Sequence, residues 1–411
     1  MSAIPTCRCC GAPLTDVFVD LGKSPLCERF LEADELNAME PFFPLKVWVC
    51  GECYLVQLQE YVAPDEIFSH YAYFSSYSTS WLEHARKYVE MMCERFALGA
   101  GNKVVEVASN DGYLLQYFVQ KGIPALGIDP AANVVKAAEE KGVRTLVRFF
   151  GEATAREVIA SEGHADVVLG NNVLAHVPNI QDFVKGLSLL LSPTGVLTME
   201  FPHLLRLIEG NQYDTIYHEH FSYLSLAVVQ KVFGMHGLRV FDVQELPSHG
   251  GSLRVFACHE SAPHEAMPAV QALLDVEEKE GLTSMEAYAA FRERVIETKN
   301  SLLEFLIKAR REGKKVAAYG APGKGNTLLN YCGIREDLIA YAVDRNPFKH
   351  GKFCPGTQIP IHPVEKVDED KPDYLVILPW NLTDEIVKQM DYTRAWGCKF
   401  VRPIPGVEVI G

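Results

Sequence analysis

Val105-Glu106-Val107-Ala108-Ser109-Asn110-Asp111-Gly112 is the stretch on which the reading of this chain turns. An apolar, strand-like run enters a short polar turn, and a helical pattern opens at the closing glycine. In a parallel α/β sheet such a junction lies at the carboxyl edge of a strand, where ligands bind. Asp129 ends the next strand-like run. An acid there is placed to bond the hydroxyls of a ribose. A nicotinamide site would want Gly-x-Gly-x-x-Gly at the first turn, because a pyrophosphate must approach the backbone closely. This turn has Gly112 alone. A Ser-Asn-Asp turn suits an adenosine cofactor that carries an amino-acid tail instead, with Glu106 and Asp111 facing its amine and sulfonium. The expected cofactor is therefore S-adenosylmethionine. Its candidate residues are Glu106, Ser109, Asn110, Asp111, Gly112, Asp129, Pro130 and Asn171. Phe149 and Phe150 follow the third strand and can flank an adenine, although core packing explains that pair nearly as well.

Around this turn the pattern alternates. Strands are expected over 103–108, 125–129, 144–147, 166–170 and 195–201, with helices between them. That alternation predicts a parallel sheet covered on both faces. Residues 238–246 and 252–259 flank Pro247-Ser248-His249-Gly250-Gly251 and read as an antiparallel pair closing the sheet. A long amphipathic stretch over 284–312 then leads to a second α/β unit with strands at 315–319, 339–344, 374–378 and 399–403. Its first turn, Gly320-Ala321-Pro322-Gly323-Lys324-Gly325-Asn326-Thr327, is glycine-rich and opens a helix. The layout alone invites the idea that the two α/β units are copies of one design.

The amino-terminal region reads differently. Cys7 and Cys10 form one Cys-x2-Cys pair, and Cys50 and Cys53 form a second. Two such knuckles can place four thiolates around one Zn²⁺, which leaves no open position and makes the metal structural. Gly11 and Gly51 stand where knuckle turns favour glycine. The alternative is a set of unpaired buried thiols. The chain has 411 residues, 11 cysteines and a formal charge of -14. The acidic balance argues against a nucleic-acid partner, which needs clustered Lys and Arg. No apolar run approaches a membrane span and no secretory signal opens the chain, so a cytoplasmic, non-membrane protein is expected.

Read together, these segments resemble the three-domain, zinc-containing sugar C-methyltransferase family, whose members act on nucleotide-linked 4-keto-deoxysugars. The matching segments are Cys7-Arg-Cys-Cys-Gly11, Cys50-Gly-Glu-Cys53, Tyr71-x-Tyr-Phe-Ser-Ser76 and Glu106-Val-Ala-Ser-Asn-Asp-Gly112. They continue with Asn171-Asn-Val-Leu-Ala-His176, Tyr217-His-Glu-His-Phe221, His249-Gly-Gly-Ser252 and Tyr319-Gly-Ala-Pro-Gly-Lys-Gly-Asn326. The resemblance implies an α/β fold with three parts. Residues 1–70 would be a zinc-binding lobe. Residues 71–262 would be a class I methyltransferase domain, Rossmann-like in design. Residues 263–411 would be a helical connector and a smaller α/β lobe that binds the sugar nucleotide, usually a thymidine diphosphate (dTDP) sugar. In the best matched branch the methyl goes to C3, beside a C4 ketone. The extra Cys9 and the Gly-Lys-Gly turn depart from the family pattern and leave the sugar open. A monomer is expected.

Such a reaction needs a base beside the carbon and donors beside the ketone. His220 is the expected base, with Glu219 and Tyr217 orienting the sugar or the imidazole. Histidine titrates near neutral pH without help. His176 can donate to the developing oxyanion, and Tyr71, Tyr73 and Asn172 can hold the sugar. In the last lobe Gly320, Lys324 and Asn326 can cradle a diphosphate at a helix start, with Trp380 and Asn381 contacting base or sugar. Alternatives remain at each point. His218, His220 and His249 can be read as metal ligands or as satisfied structural histidines, and the glycine turn as packing only. O- or N-methylation of a small metabolite, or C5-methylation of a sugar nucleotide, are the rival activities.

Overall fold

The computed structural model describes residues 4–63 and 74–411; Tyr71 and Tyr73 lie outside the described residues. The chain builds two compact units and visits each more than once. The first takes Met1–Thr15, Cys50–His203 and Phe221–Thr283; the second takes Asp16–Val49, Leu204–His220 and Ser284–Gly411.

The first unit is organised by a seven-stranded sheet. Its strands are β1 (Val104–Val107), β2 (Ala125–Asp129), β3 (Thr145–Val147), β4 (Ala165–Asn171), β5 (Leu191–Pro202), β6 (Leu238–Leu246) and β7 (Ser252–His259). They lie in the order β6-β7-β5-β4-β1-β2-β3. The first five strands pair in parallel, and β7 runs antiparallel to both β5 and β6. Every residue of β1 is buried, as a central strand covered on both faces requires. Strand order reverses between β1 and β4, which makes the gap beyond their carboxyl ends the expected ligand crevice. The helix α1 (Thr79–Phe96) starts at Ser78, whose hydroxyl accepts from Trp81 N–H, and lays Ala85, Tyr88, Val89 and Met92 on the core. It ends where Ala97 turns left-handed at φ 51°. Val56–Leu58 and Ser222–Tyr223 form a short antiparallel pair in the same unit.

The second unit holds a six-stranded sheet. Its strands are β8 (Val316–Tyr319), β9 (Ala342–Val343), β10 (Ile361–His362), β11 (Tyr374–Ile377), β12 (Lys399–Arg402) and β13 (Glu408–Ile410), in the order β10-β9-β8-β11-β12-β13. All pair in parallel except the last two. The turn after β8 opens α2 (Gly323–Cys332). An antiparallel hairpin of Asp16–Ser24 and Phe43–Val49 belongs here as well. Phe18 of that hairpin stacks on Phe291 of the long helix Met285–Arg311 at 4.6 Å. No helix among the described residues is long and apolar enough to cross a membrane.

Candidate active site

The turn after β1 is tied to the strand beside it. Asn110 N–H donates to one oxygen of Asp129 at 2.9 Å, and Ala131 N–H donates to the other at 2.9 Å. Ala108, Asn110 and Gly112 are all left-handed, with φ of 57°, 49° and 72°. At Gly112 a Cβ would also come within 3.0 Å of Val143, so the turn needs glycine there. Gly127, inside β2, was not singled out from the sequence, yet a Cβ at that position would lie 2.4 Å from Ser109 Oγ. Its only signal was a glycine within a strand, which marks close approach.

Glu106, Asp111 and Asp129 bring three carboxylates to this turn, and Lys141 is the cation that meets them, 2.9 Å from Asp111. Ser76 also donates to Asp111, and Ser75 N–H to Asn110. Glu106 is fully buried, and neither of its oxygens has a hydrogen-bond partner of good geometry among the described residues. Burial, then the charges of Asp129 and Asp111, push its carboxyl well above the usual range. Burial also raises Asp129. Ser109 Oγ and Asp111 Oδ1 are likewise buried without hydrogen-bond partners among the described residues. Pro130, half-buried, follows Asp129 at the start of the next loop. The two phenylalanines part: Phe149 is exposed, while Phe150 packs edge-on against Phe183 at 5.4 Å.

Asn171 ends β4 and donates to Tyr113 Oη at 3.3 Å. Asn172 is left-handed at φ 55°, and its amide meets His249 Nε2 at 3.1 Å. His176 follows, half-buried, in the short turn Leu174–His176. Trp81 stacks on His84 at 4.7 Å and on Tyr113 at 6.0 Å. Beside them lies a buried polar group absent from the sequence reading. Glu200 accepts from Arg254 at 2.6 Å, from His84 at 2.9 Å and from Ser248 at 3.1 Å.

The cysteines meet in the first unit. Sγ of Cys7 and Cys53 are 3.5 Å apart, those of Cys10 and Cys50 3.6 Å, and all four lie within 4.8 Å of one another. Gly11, at φ 78°, follows the first knuckle as expected. Gly51 has no such role; the matching left-handed residue is Tyr54, at φ 62°, whose N–H closes the turn onto Cys50 O.

In the second unit the segment Tyr217–His220 follows the short turn Tyr213–Thr215. His220 is largely buried, and its Nδ1 lies 2.9 Å from Thr215 O. A carbonyl only accepts, so in the neutral ring Nδ1 carries the proton and Nε2 the lone pair. Tyr217 lies against the imidazole, ring centres 4.1 Å apart. Burial, with Glu28 nearby, pushes Glu219 up to about 8, so it is a protonated donor at neutral pH. His218 points to Phe43 O at 3.3 Å, and among the described residues the cluster able to hold a metal is made of cysteines, without a histidine.

The glycine turn sets out from β8 with Gly320 at φ 81°. Lys324 lies 4.2 Å over the Trp380 ring and donates to Asn381. Asn326 donates to Cys27 O at 2.7 Å. The indole N–H of Trp380 donates to Asp214 at 2.7 Å. Two of the turn's own N–H groups are engaged too: Ala321 donates to Asp344 at 2.8 Å, and Glu28 sits at Gly323 N–H.

Comparison with known proteins adds the missing context. Residues 81–243 match the family described as "Methyltransferase domain", residues 247–405 "C-methyltransferase C-terminal domain", and residues 7–68 "Putative zinc binding domain". The chain is 38% identical over 407 residues to C-methyltransferase NovU of Streptomyces niveus, covering 99% of this chain and 97% of that protein. The chain belongs to the sugar C-methyltransferase family. Among solved structures it is similar to the PH0226 protein of Pyrococcus horikoshii, at 14% identity and a TM-score of 0.38, over 48% of this chain and 98% of that one. It is also similar to magnesium protoporphyrin IX methyltransferase of Synechocystis with bound S-adenosylmethionine, at 15% identity and 0.33, over 44% and 79%.

A sugar C-methyltransferase requires S-adenosylmethionine, and the residues present fit it. Three clustered carboxyl groups, with Lys141 the cation that pairs with one of them among the described residues, suit a cofactor that brings an amine and a sulfonium, which would favour their ionised forms. The orphaned polar atoms of Glu106, Ser109 and Asp111 are the kind a ligand would satisfy. The zinc site fits as well. Thiolates about 2.3 Å from a tetrahedral ion stand about 3.8 Å apart, close to the sulfur spacing here. Gln57 donates to Cys7 Sγ at 3.1 Å, orienting a ligand from outside the set.

Proposed function

We propose that this enzyme methylates C3 of a nucleotide-linked 4-keto-6-deoxysugar, the C4 ketone acidifying the neighbouring C–H. The observation that carries the reading is the His220 imidazole, whose Nδ1 meets Thr215 O at 2.9 Å, so that in the neutral ring the proton sits on Nδ1 and the basic lone pair on Nε2. O- or N-methylation needs no carbon acid to be ionised, because the nucleophile already holds a lone pair. NovU, the full-length relative, is a C-methyltransferase by name.

On this reading His220 Nε2 takes the C3 proton, and the electron pair of the broken C–H bond spreads onto the C4 oxygen. Glu219, protonated at neutral pH, donates to the sugar, and His176 and Asn172 are candidates to hold the oxyanion. S-adenosylmethionine supplies the methyl group as an electrophile. The new C3–methyl bond then forms as the sulfonium–methyl bond breaks. The proton leaves His220 for solvent before the next turnover. Asp129 bonds the ribose of the cofactor, and Glu106 balances its positive charge. The sugar nucleotide, taken as a dTDP sugar, contacts the 320–326 turn.

The test is His220→Asn, with the cofactor and a panel of dTDP-4-keto-6-deoxysugars. Loss of a general base should lower kcat by about 10²–10⁴-fold while cofactor affinity stays within twofold. Without cofactor, the native enzyme should wash the C3 proton into heavy water and the variant should not. Full activity of the variant would remove His220 from the chemistry, and exchange at C5 alone would move the methyl to that carbon.

A further inference from the structure

Lys324, Trp380 and the helix α2 all converge on the turn Tyr213–Thr215, and that turn carries the carbonyl on which His220 rests. Trp380 N–H donates to Asp214 Oδ2 at 2.7 Å. Lys324, stacked on the same indole at 4.2 Å, is the cation that faces the Asp214 carboxylate. Thr327 Oγ1 donates to Ile216 O at 3.2 Å, and Tyr331 meets the Tyr213 ring edge-on at 5.5 Å. Asp214 itself is fully buried, and its Oδ1 has no hydrogen-bond partner among the described residues. A buried acid held on one side by an indole and faced by an ammonium is a costly feature to keep for packing alone.

The next residue explains what it does. Thr215 O receives the Nδ1 proton of His220, so a shift of the 213–215 turn turns the imidazole or frees its tautomer. We propose that Asp214, held by the Trp380 indole N–H and faced by Lys324, is a positioning residue that fixes the direction and tautomer of His220. Burial pushes its carboxyl up to about 6, and Lys324 and the indole N–H pull it back toward the ionised form. The inference rests on His220 as the proton acceptor. It also gives Lys324 and Trp380 a duty distinct from touching the sugar nucleotide.

Trp380→Phe tests it, because an aromatic ring stays under Lys324 while the N–H is lost along with the second ring of the indole; Asp214→Ala removes the acceptor and leaves the indole whole. Two readouts are needed on the full chain, labelled with ¹⁵N-histidine. In the native protein the His220 ring should show a protonated Nδ1 and an unprotonated Nε2. In Trp380→Phe and Asp214→Ala those shifts should move toward a tautomer mixture. Asp214→Asn, which keeps an oxygen acceptor for the indole, should restore the native pattern. In turnover, kcat should fall about 10–100-fold in the first two variants with KM within twofold, the range seen when an orienting partner is removed. Unchanged His220 shifts in Trp380→Phe would overturn the inference whatever KM does, and a raised KM at unchanged kcat would make the indole a substrate contact instead. If one variant fails to fold, the other still decides. The ¹⁵N pattern is read without substrate, so a failure of the keto-sugar reading would appear separately, as native protein that does not turn over the panel.

Discussion

The turn after β1 and the turn after β8 are built on one plan and filled in opposite ways. In each, an acid at the end of the neighbouring strand grips two main-chain N–H groups. Asp129 takes those of Asn110 and Ala131, both at 2.9 Å. Asp344 takes those of Ala321 and Asn346, both at 2.8 Å. The difference is in what is left over. Around the first turn Glu106, Ser109 and Asp111 keep buried side-chain atoms without hydrogen-bond partners among the described residues. Around the second, Asn326 Oδ1 apart, the buried side-chain groups are engaged: Lys349 donates to Ala321 O at 2.8 Å, Lys324 to Asn381, and Glu28 closes on Gly323. One backbone device thus leaves buried polar groups over in one unit and ties most of them down in the other. Fold alone does not tell the two turns apart; the balance of unsatisfied groups does.

The widest split between the turns should come from removing the two acids in turn. Asp129→Ala should cost S-adenosylmethionine about 4 kcal/mol of binding, close to a thousandfold, as loss of two charge-assisted hydrogen bonds would. Asp344→Ala should leave that affinity unchanged in titration calorimetry. Equal losses would end the distinction. Next come the glycines. Gly320→Ala should lower unfolding free energy by about 3 kcal/mol in urea, since strain at positive φ adds to a Cβ contact of 2.6 Å with the Pro379 ring. Gly112→Ala, with a contact of 3.0 Å to Val143, should cost about 2 kcal/mol. The reverse order would mean that the second turn is the softer one.

The smallest effect, about 1 kcal/mol, sharpens the side of the first turn. The Glu106 carboxyl is raised in the folded state, so its favourable contribution is present at low pH and fades as pH climbs from the ordinary carboxylate range toward the raised value. Glu106→Gln should therefore melt above the native protein at pH 8 without cofactor, with the gap closing toward pH 5. Saturating S-adenosylmethionine should reverse the order at pH 8. No pH dependence of the gap would mean that Glu106 is not the uncompensated charge.

Much of the frame was legible beforehand. β2, β6 and β7 coincide with the expected 125–129, 238–246 and 252–259, because turn residues bracket apolar runs at each. The same logic fails for β10 and β13, which are two and three residues long and too short for periodicity to register. The strand expected over 339–344 contracts to Ala342–Val343. At the site, motifs exposed the acids of the β1 turn, the two cysteine knuckles and the Tyr217–His220 segment. They did not expose Lys141, Ser76, Glu200 or Asp214, whose partners lie far away in sequence. A local pattern carries no trace of a pairing that only the fold brings about.

Cys7 and Cys10 precede the excursion Asp16–Val49 into the second unit, and Cys50 and Cys53 follow it. A metal held by all four joins the point of departure to the point of return, much as a clasp closes a necklace. The intervening segment becomes a ring, and lengthening a ring adds little closure entropy. Insertions between the knuckles should thus be absorbed without loosening the clasp, which makes this span the natural place for relatives to diverge.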